Sequence, residues 1–106
     1  MIKVNIYTHK SNIYKIDISG HSYSGEPGYD LVCAGVSSIG VGALNAFDAL
    51  DDDCILELSE KPYIKIECKT ITKENQTMMN FLKYQLETVE AVHHEHIRIK
   101  EMEDSR

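Results

Sequence analysis

The chain has 106 residues, the length of a single domain with one hydrophobic core. Hydrophobic residues make up 42% and charged residues 26%, which excludes the disordered and fibrous classes. The net charge of -6 and the absence of a Lys/Arg cluster argue against a nucleic-acid surface and favour a basic protein or peptide as partner.

Three features of the sequence favour a cytoplasmic location. No apolar run approaches the ~20 residues of a membrane helix, and the start MIKVNIYTHK alternates where a signal peptide is continuously apolar. The three cysteines contain no C-x-x-C pair, which argues against a disulfide framework or a zinc ribbon. We therefore expect a soluble protein with free thiols, no membrane contact, no metal and no cofactor.

The first half of the chain predicts a β-hairpin followed by a helix. Residues 2–7 alternate between apolar and polar, and after a turn a second alternating run places Tyr14, Ile16 and Ile18 on one face. Helical spacing follows over residues 31–50, with Asp30 at the expected N-cap. The apolar stripe of this helix consists of Val32, Val36, Ile39, Ala43, Ala46, Phe47 and Leu50. Small residues in its middle, such as Gly40, permit close approach to a sheet.

The second half predicts another hairpin, a second helix and a last strand. Residues 54–58 and 64–68 alternate on either side of a Lys61-Pro62 turn, residues 74–92 have helical spacing, and Ile97 and Ile99 indicate a short final strand. The order β-β-α-β-β-α-β predicts an α+β fold, a two-layer sandwich with a mixed sheet of about five strands and two helices on one face. We expect a single domain over residues 1–106.

A cysteine and a histidine flank a glycine-containing loop between the first hairpin and the first helix. Cys33 lies in the first turn of the predicted helix, where free N–H groups and the helix dipole favour a thiolate. His21 precedes it by twelve residues, and the loop between them can bring imidazole and sulfur into contact. Such a pair suits nucleophilic catalysis, but it also arises by chance, with Cys33 as a small buried residue.

Two further side chains are placed to support this pair. Ser37 follows Cys33 by one helical turn and could donate a hydrogen bond to the sulfur, to His21 or to a substrate. Asp30 could orient His21, whereas its negative charge would disfavour the thiolate. The residues alone do not decide between these two effects.

The stretch SGHSYSGEPGYDLVCAGVSS at 19–38 closely resembles the signature of the bacterial ribosomal-processing cysteine protease family. In that signature a Gly-His step and an Asp-x-Val-Cys-Ala-x-Val-Ser segment flank a glycine-containing loop. The matching residues are Gly20, His21, Asp30, Val32, Cys33 and Ser37. The chain departs from the pattern at Gly35, where alanine is common, and in the GEPG segment at 25–28.

The resemblance implies a homodimeric cysteine endopeptidase with His21 and Cys33 as its catalytic pair. It further implies removal of a short amino-terminal extension from large-subunit ribosomal protein number twenty-seven, cut after an aromatic residue ahead of a basic segment. The loop with Gly20, Gly25 and Gly28 would then be a lid over the active site. The alternative from a different class is a non-enzymatic, ribosome-associated module that binds a protein partner.

Other candidate residues have simpler explanations. Cys54 and Cys68 share alternating apolar faces and are predicted to be core residues. The HHEH segment at 93–96 lacks metal-site spacing and is predicted to be a solvated helix end. The acidic run at 51–53 lacks the ligand pattern of a calcium loop and is assigned to helix termination. His9 is the next candidate for a general base after His21.

Overall fold

The computed structural model of the chain describes residues 1–20 and 29–104, with the side chains of Tyr29 and Asp30 left out. The elements in these ranges are β1 (Ile2–His9), β2 (Asn12–Ser19), α1 (Tyr29–Leu50), β3 (Cys54–Ser59), β4 (Tyr63–Cys68), α2 (Lys73–Val92) and β5 (Ile97–Glu103). The predicted order and α+β class are confirmed. The last strand is seven residues long rather than short.

The five strands form one sheet in the order β3-β4-β2-β1-β5. The sheet is mixed, because β1 and β5 are parallel whereas the other neighbouring strands are antiparallel. Both helices contact the sheet and each other, which gives the two predicted layers. The core between these layers consists largely of isoleucine side chains from the strands and of Val32, Val36, Leu44, Phe47, Met79, Leu82 and Leu86 from the helices. Burial of each large side chain contributes about 1.5–3 kcal/mol.

A β-bulge in the first hairpin changes which residues of β2 face the core. Lys15 pairs with Tyr7, but the next pair along β1 joins Thr8 to Ile13. Tyr14 is the extra residue, because a bulge sets two residues of one strand opposite one of the other. The expectation that Tyr14 faces the core with Ile16 and Ile18 is therefore wrong, and Ile13, only 3% exposed, takes that place.

Helix α1 differs from the expectation at both ends. It begins at Tyr29, so Asp30 is its second residue rather than its N-cap, and Cys33 is its fifth. The helical spacing of apolar residues could not fix the first residue of the helix, because the first N–H groups of a helix have no partner inside it. At the other end Leu50 is 73% exposed, since Phe47 makes the last core contact of the helix.

By length and composition, α1 could cross a membrane. Its segment Leu31–Leu50 has a mean hydropathy of 1.4, and this is the one such helix in the part of the chain that the structure describes. Four of its side chains lie in the core, and 28% of the apolar window is buried. This helix therefore reaches the length that no apolar run of the sequence was expected to approach, a test that core helices also pass, and Leu31 and Leu50 are exposed.

The acidic run after α1 joins the two helices through hydrogen bonds. Asp51 Oδ1 accepts from the backbone N–H of Asp53 at 3.0 Å, and Asp51 Oδ2 accepts from Asn75 Nδ2 at 3.2 Å. Asn75 is 1% exposed and forms a capping box with Thr72 at the start of α2. Thr70 Oγ1 donates to Asp53 Oδ2 at 2.8 Å. The carboxylates that follow α1 therefore accept hydrogen bonds that hold this end of α1 to the start of α2.

Candidate active site

A cavity of about 110 Å³ lies where α1 begins, beside one end of the sheet. The start of β1, the end of β2 and the hairpin between β3 and β4 meet here, because neighbouring antiparallel strands bring their opposite termini together. The lining residues are Ile2, Ile18, Gly20, Cys33, Val36, Ser37, Val41, Leu58, Ser59, Pro62, Tyr63 and Ile64. No charged side chain is among them, so the cavity suits an apolar group.

Cys33 is the candidate nucleophile among the residues that line this cavity. It is half-buried in the second turn of α1 and packs against the hydrophobic core. Ser37 lines the same cavity one turn further along the helix and is exposed. The unpaired N–H groups at the start of a helix lie close to a side chain at this position. The site can therefore present a thiol beside backbone hydrogen-bond donors.

Gly20 closes the cavity at the end of β2. Its φ is +86°, and a Cβ atom at this position would lie 2.6 Å from the backbone oxygen of Met1. Its N–H donates to the carbonyl oxygen of Pro62 at 3.1 Å. Both the left-handed backbone and the close approach of the Met1 backbone, just before β1, require glycine here.

A second glycine brings α1 close to the sheet. A Cβ atom at Gly40 would lie 2.7 Å from Ile64 Cδ1 and 3.3 Å from Ile18 Cδ1. The predicted close approach of this helix to a sheet is confirmed at Gly40. Ile18 and Ile64 also line the cavity, so the close approach of α1 at Gly40 sets the distance between the helix and this part of the cavity wall.

The predicted site residues are only partly within the described ranges. Cys33, Ser37 and Gly20 line one cavity. His21, Gly25 and Gly28 lie outside the described residues, and so does the side chain of Asp30. The pairing of His21 with Cys33 and the lid therefore stay predictions.

The β3–β4 hairpin contributes cavity walls that sequence reasoning missed. Leu58, Pro62 and Tyr63 line the cavity, although the Lys61-Pro62 step indicated only a turn. Burial, followed by the charges of Asp17 and Glu57, raises the pKa of Tyr63. The signal available in the sequence was the apolar Leu58 next to a turn, where a solvated residue is more usual.

A buried carboxylate, on the sheet face opposite the core isoleucines of β2, connects the two strands that lead to the cavity. Asp17 is 5% exposed and accepts hydrogen bonds from Asn5 Nδ2 at 2.9 Å and from Tyr7 OH at 3.0 Å. Burial and this hydrogen bond raise the pKa of Tyr7 to about 12. Lys15 Nζ lies 4.3 Å from the centre of the Tyr7 ring. The network links β1 and β2 two residues before Ser19 ends the second strand.

The other histidines of the described residues do not line the cavity. His9 is the last residue of β1, seven residues from Ile2 at the cavity and thus about 23 Å along the strand. In the HHEH segment, His94 has a side-chain exposure of 79%, whereas His96 is buried, which corrects the expectation of a fully solvated end. His94 Nδ1 and His96 Nε2 each lie 3.8 Å from a carboxylate oxygen of Glu95. Within residues 1–20 and 29–104, no three His, Cys, Asp or Glu side chains form a possible metal site.

Sequence comparison identifies relatives over nearly the whole chain. The family model described as cysteine protease Prp matches residues 1–98. The ribosomal processing cysteine protease Prp of Staphylococcus aureus strain Mu50 is 29% identical over 110 residues, which cover 93% of this chain and 97% of the relative. The same protein from strain NCTC 8325 gives the same values.

Solved structures with the same fold cover almost all of the chain. The ribosomal processing protease Prp from S. aureus in complex with a substrate peptide has a TM-score of 0.85 at 27% identity, covering 95% of this chain and 99% of that one. Its complex with a covalently linked product peptide has a TM-score of 0.82 at 28% identity and the same coverage. SMU.848 from Streptococcus mutans has a TM-score of 0.80 at 25% identity, covering 98% of this chain and 96% of that one.

Proposed function

Because the chain belongs to the Prp family of ribosomal-processing cysteine proteases, we propose that it removes the amino-terminal extension of large-subunit ribosomal protein number twenty-seven, with Cys33 as nucleophile and His21 as acid and base. One observation carries the proposal. Cys33 at the start of α1 and Gly20, the residue before His21 in the chain, line the same apolar cavity. The complexes of the S. aureus relative with a substrate peptide and with a covalently linked product peptide support a peptide substrate.

The chemistry begins with attack of the Cys33 thiolate on the scissile carbonyl carbon. The carbonyl oxygen becomes an oxyanion, which the free N–H groups at the start of α1 stabilise. His21 protonates the leaving amine and then activates a water molecule that hydrolyses the thioester. Ser37 donates a hydrogen bond at the nucleophile, and Asp30 orients the imidazole.

The cavity beside Cys33 receives an apolar side chain of the substrate. Its described walls are mostly aliphatic or aromatic, with Leu58, Pro62 and Ile64 opposite α1. Burying a large side chain of the substrate there contributes about 1.5–3 kcal/mol to binding. An aromatic residue ahead of the scissile bond fits this environment.

The basic segment that follows the cleavage site binds outside the cavity, on the acidic surface. The chain carries 17 acidic and 11 basic residues, and none of the charged ones lines the cavity. Among the described residues, apolar and electrostatic recognition are therefore separated in space. Raised salt should weaken capture of the basic segment while leaving the apolar contact in place.

The test is cleavage of the extended ribosomal protein by the purified chain. Mass spectrometry of the products should show one new amino terminus, located just after an aromatic residue. Cys33→Ala should bind the same substrate without cutting it, and Ser37→Ala should retain cleavage at a reduced kcat. Binding without cleavage by the unmutated chain would favour the non-enzymatic module instead.

We further propose that the chain acts as a homodimer in the cytoplasm. An apolar groove of about 400 Å³ between α1 and α2 supports this, since Leu50 and Phe81 line it and are 73% and 66% exposed. Sedimentation should give twice the chain mass, and Phe81→Glu should shift it to the single chain. Sedimentation of the unmutated protein at the mass of a single chain would contradict the dimer.

A further inference from the structure

Cys54 and Cys68 face each other across the β3–β4 hairpin, at the end of the hairpin remote from the catalytic cavity. The antiparallel register pairs Cys54 with Cys68, and both thiols are free. Both side chains lie on the core side, where Cys68 is 5% exposed and Cys54 packs partly buried at the core margin. Neither residue has a role in the proposed peptide cleavage.

The hydrogen bonds of the hairpin define the geometry of this pair. The N–H of Lys69 donates to the carbonyl oxygen of Asp53 at 3.3 Å, so Asp53 and Lys69 form a hydrogen-bonded pair. Such pairs alternate along an antiparallel ladder, which makes Cys54 and Cys68 a non-hydrogen-bonded pair. Residues in such pairs have Cα atoms about 4.5 Å apart, inside the ~4.4–6.8 Å range of disulfides.

Rotation of one side chain is enough to turn the two free thiols toward each other for a disulfide bond. Cys54 Sγ at present donates to the carbonyl oxygen of Asp51 at 3.1 Å, toward the end of α1. Turning Cys54 about its Cα–Cβ bond directs the sulfur toward Cys68 instead and leaves the backbone in place. The Asp51 carbonyl oxygen loses only a weak thiol donor by this rotation.

We propose that Cys54 and Cys68 are a modification site that closes to a reversible intramolecular disulfide when the chain meets a peroxide. Cys54, the more exposed thiol, loses its proton and attacks one oxygen of hydrogen peroxide as its thiolate; the O–O bond breaks, and the leaving hydroxide takes up that proton, so sulfenic acid and water result. The sulfur of Cys68 then attacks the Cys54 sulfur, the S–O bond breaks, and a second water leaves with the Cys68 proton. Two electrons pass from the sulfurs to the peroxide, and a dithiol reductant restores both thiols.

The surroundings make this reaction slow at neutral pH and faster in alkali. Burial, followed by the negative charges of Asp51, Asp48 and Asp53, raises the pKa of Cys54, and Lys69 opposes this only in part. Burial is also the main cause that raises the pKa of Cys68 to about 12. The pair therefore responds to sustained oxidation rather than to a brief pulse.

The site is distinct from the catalytic thiol. Cys33 and the end of α1 at Leu50 are separated by seventeen helical residues, or about 25 Å. Cys54 follows four residues beyond Leu50, so Cys33 cannot be its partner within one chain. The bond would cross-link the edge strand β3 to β4 and protect Cys54 from irreversible oxidation.

The experiment uses the full chain carrying Cys33→Ala, so that the catalytic thiol takes no part. The folded protein is treated with hydrogen peroxide at neutral and at alkaline pH, then alkylated with iodoacetamide in denaturant and analysed by mass spectrometry. We expect a chain lacking two hydrogen atoms and unalkylated, with the Cys54 and Cys68 peptides linked, and reversal by dithiothreitol. The melting temperature should rise by several degrees, since the link closes a loop of about 15 residues.

The matched control adds Cys68→Ala to the same chain. Cys54 should then gain oxygen atoms instead of losing hydrogen, and its sulfenic acid should react with dimedone. Oxygen on Cys54 with an alkylated Cys68 in the Cys33→Ala chain would overturn the proposal. Cross-linking only between two chains would overturn it as well, and so would two alkylated cysteines after prolonged peroxide treatment at alkaline pH.

Discussion

Replacing Gly20 by alanine tests how the end of β2 supports the active site. The substitution adds one methyl group at a residue with φ of +86° and 2.6 Å between the new Cβ and the backbone oxygen of Met1. The matched control is Gly35→Ala, because a Cβ at Gly35 meets nothing within 4 Å and its backbone is ordinary helix.

The two variants should differ in the sign of their effect on stability. A left-handed backbone costs an alanine about 1–2 kcal/mol, and displacing a backbone contact costs roughly another 1–3 kcal/mol. We expect Gly20→Ala to lower the free energy of unfolding by about 2–5 kcal/mol, which corresponds to at least ~10 °C in Tm. Gly35→Ala should raise it by up to ~1 kcal/mol, because alanine favours helix over glycine.

Urea unfolding measures both values, and peptide cleavage measures the consequence for the site. Since Gly20 precedes His21 and lines the cavity of Cys33, Gly20→Ala should also lower kcat under conditions where the protein is still folded. A free energy of unfolding within about 0.5 kcal/mol of the parent for Gly20→Ala would refute this reasoning, because changes of that size are typical of unconstrained surface positions. Equal destabilisation by Gly35→Ala would refute it too.

Three further predictions concern other parts of the molecule. Iodoacetamide should label Cys33 much faster than Cys68, whose pKa is raised to about 12 chiefly by burial, and peptide mapping with equal rates at both would contradict a nucleophilic Cys33. Asn75→Ala should lower the free energy of unfolding by about 2–3 kcal/mol in urea titration, because the side-chain half of the capping box is lost together with the bonds to Asp51 and to the Thr70 carbonyl oxygen. Folding raises the pKa of Tyr7 from 10.0 to about 12, so its contribution to stability is complete below pH 10 and is lost as pH rises through 12. Tyr7→Phe should flatten that alkaline decline in melting experiments, and a decline of unchanged slope would assign it to other groups.

Local patterns in the sequence were sufficient for the secondary structure. Alternation over residues 2–7 and 64–68 and helical spacing over 31–50 and 74–92 predicted elements that are all present, because periodicity of side chains follows from backbone geometry. The signature around Cys33 identified the family in the same way and nominated Cys33 as the candidate nucleophile. These features depend on residues that are close together in the chain.

The arrangement of those elements depends on contacts that no local pattern contains. The bulge that puts Ile13 rather than Tyr14 on the core face arises from the pairing of two strands, and the backbone of Met1, just before β1, leaves no room for a Cβ atom at Gly20. The walls at Leu58 and Pro62 reach Cys33 only because β4 lies between β3 and β2 in the sheet. The sequence by itself therefore determined the elements and the family, whereas the tertiary structure decided the cavity, since strand order and register set which distant residues meet.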